Sequence, residues 1–102
     1  MAPLTPGALA DALATLPGWS HREAALHKTF RFASFLAALS FMQRAAPDID
    51  ALDHHPEWTN VYDRVRVRLT THDAGNLVTA RDVELARLLD AYAAFTGTES
   101  DV

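Results

Sequence analysis

The chain has 102 residues, 13 acidic against 9 basic for a formal net charge of -4, and no cysteine. That length predicts one domain over 1–102 with a modest core, and the missing cysteines exclude disulfides, thiolate metal sites and cysteine nucleophiles. Net acidity argues against a non-specific nucleic-acid binder, whose affinity comes from neutralising phosphates. With no apolar run of about 18 residues and no basic-then-apolar leader, a cytoplasmic protein without membrane contact is expected.

Thr5-Pro6 reads as a helix start, with Thr as cap and Pro in the first turn. Ala8, Leu9, Ala12, Leu13 and Leu16 follow at helical spacing until Pro17-Gly18. Trp19 to His21 is a short strand candidate. Leu26 to Phe32 alternates, with Phe30 and Phe32 on the inward parity, so the two segments could form a hairpin across Arg22-Glu23-Ala24-Ala25. Ser34 to Ala46 carries a helical stripe of Phe35, Ala38, Leu39, Met42 and Ala45, and Pro47 is expected to end it. Asp48 to Asn60 reads as a polar, turn-like stretch.

Val61 to His72 is the clearest strand, with Val65, Val67 and Leu69 on one face and Arg64, Arg66 and Arg68 on the other. Such alternation fits an antiparallel sheet with one covered face. Gly75-Asn76 makes a turn, since both residues tolerate positive φ. Thr79-Ala80-Arg81-Asp82 resembles a capping box with Asp one methylene short of the usual Glu. A last helix follows, and a polar tail begins at about 96. Helices on one face of a small antiparallel sheet, an α+β sandwich, is the economical arrangement.

The candidate chemistry centres on His54-His55-Pro56 and on His72-Asp73. Adjacent residues on an extended backbone point opposite ways, and Pro56 restricts His55. Imidazole is the side chain whose ordinary pKa suits proton transfer near neutrality. A single His in a small chain is ordinarily structural or solvated, but three at a loop and a strand end beside Trp58 point further. Three imidazoles can also hold zinc, although no His-Glu-x-x-His helix is present. Trp58 and Tyr62 bracket the candidate site and could stack on a flat heterocycle or fill core space. The arginine ladder reads as the solvated side of its strand, because no aromatic interleaves it as in a stacking platform. No Gly-rich phosphate loop and no Gly-x-Ser-x-Gly elbow occurs.

One arrangement joins these residues: Asp50-Ala51-Leu52-Asp53-His54-His55-Pro56, then Tyr62, His72 and Asp82. It resembles the signature of the pterin-4a-carbinolamine dehydratases, and the likeness extends over about residues 16–93. Asp50 stands where many members carry Glu, Asn76 where a second glycine is usual, and Val78 looks like an added residue in the same turn. The resemblance implies a four-stranded antiparallel sheet with helices on one face, assembled as dimers or dimers of dimers. It implies dehydration of 4a-hydroxytetrahydropterin to quinonoid dihydropterin, in support of aromatic amino-acid hydroxylases, with no metal and no organic cofactor.

His54 and His72 would then carry acid–base catalysis. His55, Pro56, Trp58 and Asp73 would contact substrate, and Asp50, Tyr62 and Asp82 would support or orient. The alternatives are a non-catalytic, coactivator-like dimerisation scaffold that binds another protein and, lower in rank, a zinc-dependent hydrolase.

Overall fold

In the computed structural model, which describes residues 2–96, the first helix α1 (Pro6–Leu13) begins where expected. Thr5 caps it by accepting a hydrogen bond on Oγ1 from the Ala8 N–H at 3.1 Å. The helix stops at Leu13, earlier than the spacing predicts, and none of its residues is buried. Leu16 reaches the core from the following turn, while Leu9, Ala12 and Leu13 only cover its margin. Strands β1 (Ser20–Arg22) and β2 (Ala25–Arg31) form the expected hairpin. Its turn residues Glu23 and Ala24 both have positive φ, 51° and 61°. Neither is Gly or Asn, so the turn carries no sequence signal of the usual kind.

Helix α2 spans Phe35–Leu52 and corrects the expectation that Pro47 ends it. Proline removes one backbone donor and crowds the preceding turn. The apolar stripe nevertheless continues past it, with Phe41 and Ala45 before and Ile49 after, all buried against the sheet. That burial offsets the lost hydrogen bond. The helix ends instead at Asp53, which takes the left-handed conformation (φ 56°) and donates its N–H to the Asp50 carbonyl at 3.1 Å.

The strand predicted over Val61–His72 is shorter, and the stretch Asp48–Asn60, expected to be turn-like, holds the end of α2 and most of a strand of its own. β3 (Glu57–Val61) and β4 (Arg64–Leu69) make a hairpin through Tyr62-Asp63, with Tyr62 at φ 53°. The turn is held by the Asn60 side-chain amide, which donates to the Tyr62 and Arg64 carbonyls at 3.1 and 2.9 Å. A β-branched run without Gly or Pro hides such a turn. Beyond β4, Thr71 bridges Leu77, and His72–Ala74 form one turn of 3-10 helix, so His72 lies off the strand.

The four strands run antiparallel in the order β1-β2-β4-β3. Register places Phe30 beside Val65, Lys28 beside Val67 and Val67 beside Trp58 on the helix-covered face. There Phe30, Phe32, Phe41 and Trp58 pack with ring centroids 4.9 to 6.4 Å apart. The other face carries Thr29 beside Arg66 and Arg31 beside Arg64, so the arginine ladder occupies the uncovered side. Arg68 reaches Glu57 at 3.4 Å across the hairpin.

The last helix, α3 (Ala80–Thr96), buries Val83, Leu85, Ala86, Leu89 and Ala93 and packs along α2. Asp90 ties it to the β1–β2 edge, accepting from Trp19 Nε1 at 3.0 Å and pairing with Lys28 Nζ at 2.8 Å. Tyr92 donates its hydroxyl to Asp48 on α2; that hydrogen bond, then burial and the carboxylate charge, raises the phenol above its ordinary pKa of 10.0. The polar tail expected after residue 96 lies outside the described residues. No helix among the described residues is long and apolar enough to cross a membrane.

Candidate active site

Three chain segments meet at one end of the sheet: the exit from α2, the exit from β4 and the entry to α3. They enclose a cleft of about 210 Å³ lined by Asp53, His54, His55, Thr70, Thr71, His72, Asp73 and Arg81. A larger groove of about 530 Å³ beside α1 is mostly apolar, and His21 is the single titratable side chain lining it. The smaller cleft holds three histidines, against one in that groove.

His54 follows the left-handed Asp53 and turns inward; its side chain is 10% exposed, against 57% for His55. The two histidines diverge as residues on an extended backbone must. His54 Nε2 lies 2.7 Å from Asp82 Oδ1. Asp82 is 0% exposed, at the first turn of α3. Its Oδ2 accepts from the Thr79 N–H at 2.9 Å and the Thr71 hydroxyl at 2.8 Å. The acid of the capping box thus reaches back to the Thr79 amide despite its shorter side chain, while Thr79 Oγ1 takes the Arg81 N–H at 3.2 Å.

A buried carboxylate is tolerated only when hydrogen-bonded on its charge-bearing oxygens, and here donors reach both. His72 sits at the start of the 3-10 turn with Nδ1 3.2 Å from Asn76 Oδ1. Gly75 and Asn76, both at positive φ (74° and 61°), bend the chain back beneath it, as the turn signal predicts. His55 Nε2 is 3.1 Å from Asp50 Oδ1 at the exposed rim.

The fold thus brings His54, His55, His72 and Asp73 to one cleft, with Asp82 behind it and Asp50 at its edge. It does not bring Tyr62 there. That residue lies in the β3–β4 turn, 66% exposed, at the opposite end of a six-residue strand, a separation of roughly 20 Å at about 3.3 Å per residue. Trp58 points from β3 into the helix-covered face against Phe41 rather than lining the cleft, and Pro56 only leads the chain from His55 into β3. Sequence reading passed over Arg81, the one cation lining the cleft, and Thr71. Arg81 donates to the Asp53 carbonyl at 3.4 Å. Its place directly before the capping-box acid was the available signal. Among the described residues, no three His, Asp or Glu side chains cluster closely enough to hold a metal ion together.

Three histidines line the cleft, each with one ring nitrogen at hydrogen-bond distance from a side-chain oxygen, and imidazole is a side chain suited to moving protons near neutral pH. The family model described as Pterin 4 alpha carbinolamine dehydratase matches residues 2–92. A protein carrying that family's name from Opitutus terrae is 61% identical over 84 residues, covering 82% of this chain and 87% of its own. Another from Rhodopseudomonas palustris is 55% identical over 85 residues, covering 81% and 83%. The crystal structure of a transcriptional coactivator/pterin dehydratase from Brucella melitensis superposes with a TM-score of 0.84 at 42% identity, over 89% of this chain and 98% of that one. The chain belongs to the pterin 4 alpha carbinolamine dehydratase family, a family of lyases.

Proposed function

We propose that this chain dehydrates 4a-hydroxytetrahydropterin to quinonoid dihydropterin and so supports tetrahydrobiopterin recycling in the cytoplasm. The observation that carries the reading is the placing of His54 and His72 on one cleft, each with a separate hydrogen-bond partner. In the reaction the C4a–O bond breaks. The departing hydroxyl takes a proton from one imidazole and leaves as water. A ring nitrogen lone pair forms the new C=N bond, and the other imidazole removes that nitrogen's proton. Each such transfer is worth about 10²–10⁴ in rate. Two proton transfers suffice for this chemistry, so the reaction is read as needing neither metal nor organic cofactor. His55 at the rim and Arg81 in the wall are suited to hold the polar edge of the pterin.

Protein treated with a chelator and freed of metal should accelerate dehydration of 4a-hydroxytetrahydropterin above the uncatalysed rate. A well-folded, metal-free preparation without effect overturns this reading, and activity restored only by stoichiometric zinc favours the hydrolase alternative instead.

Self-association is part of the same proposal. Among the described residues, the edge strands β1 and β3 are unpaired on their outer sides, which a sheet protein ordinarily covers. Leu36 on α2 and Phe95 on α3 are large exposed apolar groups. Light scattering at micromolar concentration should give a dimer or larger; a species of only 11.2 kDa would refute it. The Brucella melitensis neighbour is also described as a transcriptional coactivator, which favours protein binding as a second reading. The same exposed apolar groups would serve it.

A further inference from the structure

We propose a second binding site, on the uncovered face of the sheet, for a small non-aromatic phosphate monoester of the sugar phosphate class. A cleft of about 300 Å³ lies over β1, β2 and the middle of β4, a volume at the lower end of the range for small-molecule pockets. Arg22, Lys28, Arg66 and the His27 ring line it, with the hydroxyl-bearing Ser20 and Thr29. Among the described residues no Asp or Glu lines it, although the chain has 13 acids against 9 bases. It shares no lining residue with the histidine cleft. Lys28 is already committed, donating to Asp90 and to the Pro17 carbonyl at 2.8 and 2.9 Å. The charges left for a ligand are those of Arg22 and Arg66.

Strand register makes Arg66 the anchor. Thr29 stands beside it on β2 and Thr59 on β3, and Ser20 shares that face through its pairing with His27. Along β4 the nearest side chains on the same face are Arg64 and Arg68, each about 7 Å away. Both of those have an acid: Asp63 lies 3.7 Å from Arg64 and Glu57 3.4 Å from Arg68. Among the described residues the exposed Arg66 has none. Opposite charges across a strand pair stabilise a sheet and like charges destabilise it. An acid at position 29 or 59 would match Arg66, and a threonine stands at each. A guanidinium fork takes two oxygens of a phosphate, and neighbouring hydroxyls can donate to a third. Arg22 adds a second charge against the dianion, because its pair with Glu23 at 3.6 Å is exposed on both sides and weak. His27 Nε2 donates to the Arg22 carbonyl at 3.1 Å, which fixes the ring at the rim. No Phe, Tyr or Trp lines the cleft to stack on a base.

The test is calorimetric titration of the wild type with glucose phosphate, at an ionic strength held constant with chloride so that diffuse screening cancels. Saturable binding of one ligand per chain is expected. Arg66→Gln should weaken it about tenfold or more, the cost of a charge-assisted fork. Arg64→Gln, on the same strand face but outside the cleft, should leave it within about twofold. Without ligand, Arg66→Gln should unfold no earlier than wild type, since the change removes a cation that has like-charged neighbours. Amide NMR of the wild type during the titration should shift Ser20, Arg22, His27, Thr29 and Arg66, a readout that needs no variant to fold. Shifts centred on His54 and His72 would overturn the proposal by placing the phosphate beside Arg81. Absent saturation, or equal losses in Arg64→Gln and Arg66→Gln, would do the same by reducing the face to diffuse charge. Inorganic phosphate binding as tightly as glucose phosphate overturns the ester class, and a single-stranded oligonucleotide binding more tightly than either overturns the small-molecule reading.

Discussion

Replacing His54 and His72 together with alanine is expected to lower dehydratase turnover by roughly 10³-fold or more, since one positioned imidazole is worth about 10²–10⁴. Each single change should cost less than the pair implies, because either ring can supply or take a proton for a substrate stereoisomer that presents its hydroxyl to that side. His55→Ala should act differently: at the exposed rim beside Asp50, it should raise KM at least as clearly as it lowers kcat. Steady-state kinetics across the pH range on the four proteins separates these roles. Full turnover in the double variant would remove both histidines from the chemistry.

The largest stability effect is expected at Asp82. Alanine there strands three donors, the Thr71 hydroxyl, the Thr79 N–H and the His54 ring N–H, the first two on buried residues. Each stranded donor costs about 1–3 kcal/mol, less when the group can relax, and the first turn of α3 loses its capping acid. A total loss of about 3 kcal/mol should appear in urea unfolding, with a midpoint fall of more than about 10 °C on heating. Asp82→Asn should recover part of the stability, because one oxygen still accepts. It should recover little turnover, because a neutral amide gives the His54 ring no charge to work against. Alanine unfolding within about 1 kcal/mol of wild type would show that the buried web is not what holds this corner.

Much of the fold is legible in the sequence. The Thr5 cap, the Phe30 and Phe32 parity, the Gly75-Asn76 turn and the capping box are local signals, and each predicts the element that forms. The misses have non-local causes. Pro47 breaks a helix by local rules, and only tertiary burial of Ile49 beyond it carries α2 to Leu52. The β3–β4 turn depends on the Asn60 side chain folding back on two carbonyls, a contact with no spacing rule. Tyr62 is drawn to the site by its nearness in sequence to His54-His55-Pro56 and by the resemblance, and the turn sets it at the far end of β4. The His54-His55-Pro56 triplet and His72 are visible as chemistry because of their residue types. Thr71 and Arg81 are not, since a threonine after a strand and an arginine in a first helical turn are ordinary until the fold sets them against Asp82 and Asp53.

The corner where α2, β4 and α3 meet also bears on how tightly substrate can be held. His54 has almost no rotamer freedom left once Asp82 holds its ring, and Asp82 is itself held from two directions. The entropy of ordering that side chain is spent when the chain folds, not when a pterin arrives. Binding a small, flat molecule yields limited free energy, and each rotamer-rich side chain frozen on association would subtract about 0.5–1.5 kcal/mol from it. A wall set in advance spares the complex that loss and keeps the reacting atoms in register. It also makes catalysis depend on three segments far apart in the chain, so loosening any one of them would dismantle the cleft before the rest of the core gives way.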